Sequence, residues 1–185
     1  MANCTLKPFR DYDEHDVINL FKYSGAIPGL KGTFVDIVGN GWNADDQPNN
    51  MLGAAGKAYD NTVSQRYGVA AAVNTASSGS TDPLGMLLYD VREEDENGEK
   101  LLYNPRKAAE MECVLSGQAV PVVTKGVFLY SGDTISAQTV TAGAKLYIGT
   151  DGMLTTTASS AGKVVGHALG SVDSTSSGVL FKLEL

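Results

Sequence analysis

The chain has 185 residues, 43% hydrophobic and 19% charged, with 14 Lys and Arg against 21 Asp and Glu for a formal net charge of −7. That length makes one large domain or two small ones and can bury roughly 70% of the unfolded surface, so folding requires neither a disulfide nor a metal. The acidic balance offers no electrostatic route to phosphate backbones and argues against nucleic-acid binding, and no apolar run approaches the roughly 20 residues that span a bilayer.

Residues 1–16 are charged, broken at Pro8, and lack the apolar segment of a secretory signal; they are expected to form an arm. Residues 15–23 can be a strand or a short helix, and their bulky and aromatic side chains favour a strand. Turn chemistry follows at Gly25, Pro28, Gly29 and Gly32. A strand is predicted over 33–38, stopped by Gly39-Asn40-Gly41. Residues 43–62 are polar and Gly-rich and read as a long loop with a helical turn near 51–59.

A strand over 67–73 and its partner over 84–91 are expected to flank the Ser/Thr/Gly tract 74–82. Asn97-Gly98 predicts a second hairpin, pairing residues near Val91 with 100–103. Asn104-Pro105 opens a short helix through Met111, with Asn as cap and Pro at the first helical position. Residues 120–124 and 126–130 are expected to pair around Lys125, with Pro121 at an edge or a strand start.

The tail, 142–185, consists of short apolar strands separated by glycine turns. Asp151-Gly152 between Leu146-Tyr147-Ile148 and Met153-Leu154-Thr155 is a strong hairpin signal. Val179, Phe181, Leu183 and Leu185 alternate with Leu180, Lys182 and Glu184, the period of a strand with one buried face. The expected fold is all-β with minor helix, built around a small barrel with long loops. It divides into an N-terminal arm or first strand (1–23), a β-rich portion with long loops (24–113) and a C-terminal β-barrel portion (114–185).

Residues for chemistry are scarce. His15 and His167 are the only histidines, no nucleophile motif accompanies them, and no catalytic residue is assigned. The acidic run 95–99 resembles a calcium loop only superficially, because the place for its bidentate glutamate holds Arg106; a solvated hairpin tip fits better. The two cysteines, Cys4 and Cys113, and the two histidines have no zinc spacing, so no metal or cofactor is expected, and the thiols read as free. Trp42, the sole tryptophan, anchors either a core edge or a partner interface. Val17, Ile18, Leu20 and Phe21 carry the same two readings: they complete the barrel or add to a neighbouring chain's sheet.

His15-Asp16-Val17-Ile18-Asn19-Leu20-Phe21, Lys31-Gly32-Thr33-Phe34-Val35 and the run from Gly117 to Gly126 resemble segments of tailed-phage capsid decoration proteins, also called cement proteins, and the closing strands are similar to that family's C-terminal half. The likeness spans most of the chain and is weakest over 43–82. It implies a virion structural protein with a β-barrel or β-tulip-like body. Such proteins form homotrimers on the outer capsid surface and staple neighbouring major capsid subunits after head expansion. The resemblance brings no catalytic residues. The competing expectation, motivated by Trp42 and its polar loop, is a head fibre or glycan-binding module on the virion surface.

Overall fold

The computed structural model describes residues 4–8, 16–39, 41, 71–160, 162–172 and 178–185. The expected long loop with its helical turn, Trp42, His15 and residues 67–70 of the expected strand 67–73 lie outside them, and the end of that strand falls in the strand Ala72–Thr75. Among the described residues the fold is all-β with two short helices. The strands are β1 (Cys4–Pro8), β2 (Val17–Tyr23), β3 (Phe34–Ile37), β4 (Ala72–Thr75), β5 (Gly85–Leu87), β6 (Asp90–Arg92), β7 (Cys113–Leu115), β8 (Ala119–Val123), β9 (Lys125–Gly132), β10 (Lys145–Ile148), β11 (Leu154–Thr155), β12 (Gly166–Ala168) and β13 (Val179–Glu184). Helix α1 is Pro105–Glu110 and α2 is Asp133–Ser136. No helix among the described residues is long and apolar enough to cross a membrane.

Strands β2-β4-β3-β5-β8 close into a barrel, and a six-stranded sheet runs in the order β1-β9-β13-β12-β10-β11. Phe21, Tyr23, Val35, Val73, Leu87, Val120 and Val122 form one buried cluster within the barrel strands. Phe34, Met86 and Val123 belong instead to the cluster that also holds Phe128, Tyr130, Leu146, Phe181 and Leu183 of the sheet. One wall of the barrel (β3, β5 and β8) is therefore buried on both sides. That explains why all residues of β5 and of β8 are buried, whereas β9 and β13 alternate.

The closed barrel lies between Val17 and Val123; of the expected C-terminal barrel portion, 114–185, β8 enters it, while β9 to β13 build the six-stranded sheet with β1. Part of the expected arm is thus β1, which pairs antiparallel with β9 from Cys4↔Gly132 to Pro8↔Phe128. Two expected hairpins pair differently. Strands β4 and β5 flank β3, which inserts between them, because the two faces of β3 serve different clusters. Strands β8 and β9 separate at Thr124, whose N–H and hydroxyl both donate to the Asp16 carbonyl, and they continue into different sheets.

Pro121 lies inside β8 rather than at its edge. The β2–β8 register passes from Ile18↔Val122 to Phe21↔Val120, so a bulge at Asn19 and Leu20 faces the residue that has no N–H to give. The Pro121 carbonyl still accepts the Leu88 N–H at 3.0 Å.

The tail hairpin forms as the sequence predicts. Tyr147 pairs with Thr155 and Ile148 with Leu154 around a 3-10 turn at Thr150–Gly152. Asp151 and Gly152 both take positive φ, 57° and 68°, the conformation for which Asp-Gly is favoured. The last strand buries Val179, Phe181 and Leu183 and turns Lys182 and Glu184 toward solvent.

Candidate interaction surfaces

Strand β2 carries four of the five residues expected at an interface. Phe21 is 5% exposed and belongs to the barrel cluster, and Ile18 packs against that cluster from a half-buried position. Val17 lies half-buried against the inter-sheet cluster, and Leu20 is 38% exposed on the bulge. Beside it the buried Asn19 Oδ1 has no hydrogen-bond partner. The structure therefore separates Phe21, a core side chain, from Leu20, which is available for contact. The alternation is interrupted because the bulge adds one residue.

The acidic run is divided in the same way. Asp90 accepts the Lys31 N–H at 2.8 Å on one carboxylate oxygen and pairs with Arg92 through the other, at 3.0 Å. Asp95 is buried, and its Oδ1 accepts the N–H groups of Asn97 and Glu99, both at 2.8 Å. Lys107 of α1 donates to its Oδ2. That hydrogen bond, with the two backbone N–H donors, holds the Asp95 carboxyl below its ordinary value, and the same contact raises Lys107. The expected hairpin tip exists: Glu94 bridges Lys100, and Gly98 turns the chain at φ 80°. Residues 101–103, expected as a strand, form a 3-10 turn instead, because the Leu101 side chain is buried beside α1 and its N–H donates to the Glu93 carbonyl at 3.0 Å.

What remains outside is a knob held from within by Asp95. Glu93, Glu94, Glu96 and Glu99 are exposed, and next to them Leu102 and Tyr103 stand 63% and 78% exposed. The Asp-x-Asn-Gly spacing was the signal for the anchoring role of Asp95, since an Asp side chain commonly holds the backbone two residues on.

The outer face of the six-stranded sheet is the second surface. Leu129 pairs with Leu180, and the Leu169 N–H donates to the Leu180 carbonyl at 2.8 Å, giving an apolar row. The next row runs Val127, Lys182, His167, Lys145 across four strands. Lys125 and Lys145 are exposed, and Lys182 pairs with Glu184 at 3.2 Å.

A cleft of about 360 Å³ beside α1 is lined by Tyr89, Ala109, Glu112, Cys113 and Gln118. Burial pushes the Cys113 thiol up, and its Sγ donates to the Ala108 carbonyl at 3.3 Å, the environment of an inert packed cysteine. Among the described residues no three His, Cys, Asp or Glu side chains converge as metal ligands. His167, predicted within a strand, lies exposed on β12.

Over residues 25–185 the sequence matches the family model described as structural cement protein (E217 gp24/Pam3 gp6). No curated protein and no solved structure matches the chain.

Proposed function

Because the chain belongs to the phage structural cement protein family, a structural and not an enzymatic one, we propose that it binds the outer surface of the expanded capsid and cements neighbouring major capsid subunits, acting as a homotrimer. The family match over 25–185 carries this reading. The fold supports it: one barrel wall is buried on both sides, and Leu20, Leu102, Tyr103, Leu129 and Leu169 present exposed apolar surface. Of the residues expected at the contact, Leu20 stands free on the bulge and is assigned to the shell, while Val17 and Ile18 flank it half-covered. Each contact need only be moderate, because many identical sites on one shell act together.

Incubating the purified chain with undecorated expanded heads tests the proposal. Saturable binding that raises the heads' resistance to heat is expected. No uptake by heads in any state of maturation overturns it.

A further inference from the structure

The knob and the outer sheet face are complementary twice over. The knob offers four exposed glutamates against one exposed lysine, Lys100, beside Leu102 and Tyr103; the face offers Lys125, Lys145 and Lys182 against Glu184, beside Leu129, Leu169 and Leu180. Among the described residues no ion pair joins the two surfaces within one chain, and neither Glu93, Glu94, Lys125 nor Lys145 has an ion-pair partner.

In a chain of net charge −7, copies repel one another in general, so a patch where lysines predominate is the place where a second copy's acid can dock without penalty.

We infer that the 93–103 knob of one copy seats on the outer face of the six-stranded sheet of the next. Tyr103 and Leu102 lie along the Leu129–Leu180–Leu169 row, and the glutamates face Lys125 and Lys145. The knob needs little further ordering to bind, because Asp95 already fixes its loop through two backbone N–H groups and Lys107. Exposed Tyr and Leu supply the apolar anchor, and the surrounding charges set orientation and encounter rate. The two patches differ, so the contact is head-to-tail, and it closes into the ring of the homotrimer reading when the rotation between copies is a third of a turn. The inference rests on the homo-oligomer reading above and names the surfaces that build it.

The test uses the full chain in sedimentation at low and high salt, with circular dichroism as the check on folding. The wild-type chain is expected to associate, and less so at high salt because exposed pairs are screened. Glu93→Lys with Glu94→Lys, or Lys125→Glu with Lys145→Glu, should each weaken association by about 100-fold, since like charges then face one another. The chain bearing all four reversals should associate again. Tyr103→Ala removes an exposed side chain that the fold does not need, and it should weaken association without a change of charge. A wild-type chain that stays monomeric, or an oligomer that neither pair of reversals moves, overturns the docking. Head binding is measured on the same samples: uptake by heads of a chain that stays monomeric removes this inference and the homotrimer but leaves the cementing role standing, whereas a knob-dependent oligomer that no head takes up does the reverse.

Discussion

The Tyr130 hydroxyl accepts the Leu154 N–H at 3.2 Å, joining β9 to β11 across the buried face of the six-stranded sheet. The two strands are not neighbours in that sheet, and the Tyr130 ring lies edge-on to Phe181 at 6.2 Å and 88°. Tyr130→Phe keeps the ring and removes the acceptor. Leaving that buried N–H unsatisfied should cost about 1–3 kcal/mol in urea unfolding. A cost indistinguishable from zero would mean that the amide finds another partner.

Phe181 is fully buried, 6.2 Å from both Phe128 and Tyr130. Phe181→Ala should therefore destabilise by about 3–5 kcal/mol, the range for a core Phe. A loss below about 1 kcal/mol, as at a surface position, would place the last strand the other way round.

Phe21 and Leu20 are adjacent and opposite in role. Phe21→Ala empties the barrel cluster and should cost about 3–5 kcal/mol. Leu20→Ala should change stability by no more than about 0.5 kcal/mol, yet lower the affinity for expanded heads. Denaturation and head-binding curves on the two variants check both halves; a Leu20 variant that binds heads like wild type removes this residue from the shell contact.

The Asp95–Lys107 pair predicts a pH window. Asp95 is depressed from its ordinary 3.8, so its stabilisation is complete above that value and is lost as pH falls through the lower folded-state value. Lys107 is raised from 10.5, so its contribution is complete below that value and is lost as pH rises through the higher folded-state value. The melting temperature of Lys107→Ala should lie below wild type by a constant amount across neutral pH. That difference should shrink at both extremes. A difference that varies between pH 6 and pH 9, taken as roughly neutral conditions, would implicate another group.

Deleting residues 1–23 removes β1 from the edge of the sheet and β2 from the barrel. Strand β2 bonds both β4 and β8, so its loss opens the barrel and exposes Val73 and Val120. The truncated chain should fail to give a cooperative unfolding transition. A folded, soluble truncation would show that the first 23 residues are a dispensable arm.

Local chemistry made several elements legible. The α1 start at Pro105, the Asp151-Gly152 turn and the in–out alternation of β13 each depend on residues close together in sequence. Among the candidate contact residues, sequence left Phe21 and Leu20 equivalent, because only the bulge opposite Pro121 sends one inward and leaves the other out. The sheet that claims each strand was illegible as well: β8 and β9 look like a hairpin around Lys125 until Thr124 binds Asp16, far back in the chain.

By itself the sequence determined that this is a β-rich, acidic chain with short strands, glycine turns and a family resemblance carried by them, since periodicity, turn residues and net charge are local or additive properties. Tertiary structure alone decided where the barrel closes, that β1 completes the C-terminal sheet, and that four glutamates and a tyrosine stand exposed on a loop held by buried Asp95. Those outcomes depend on pairings between distant segments, and which pairing wins is set by the burial of both faces of β3, β5 and β8 at once, a condition that no single stretch of residues contains.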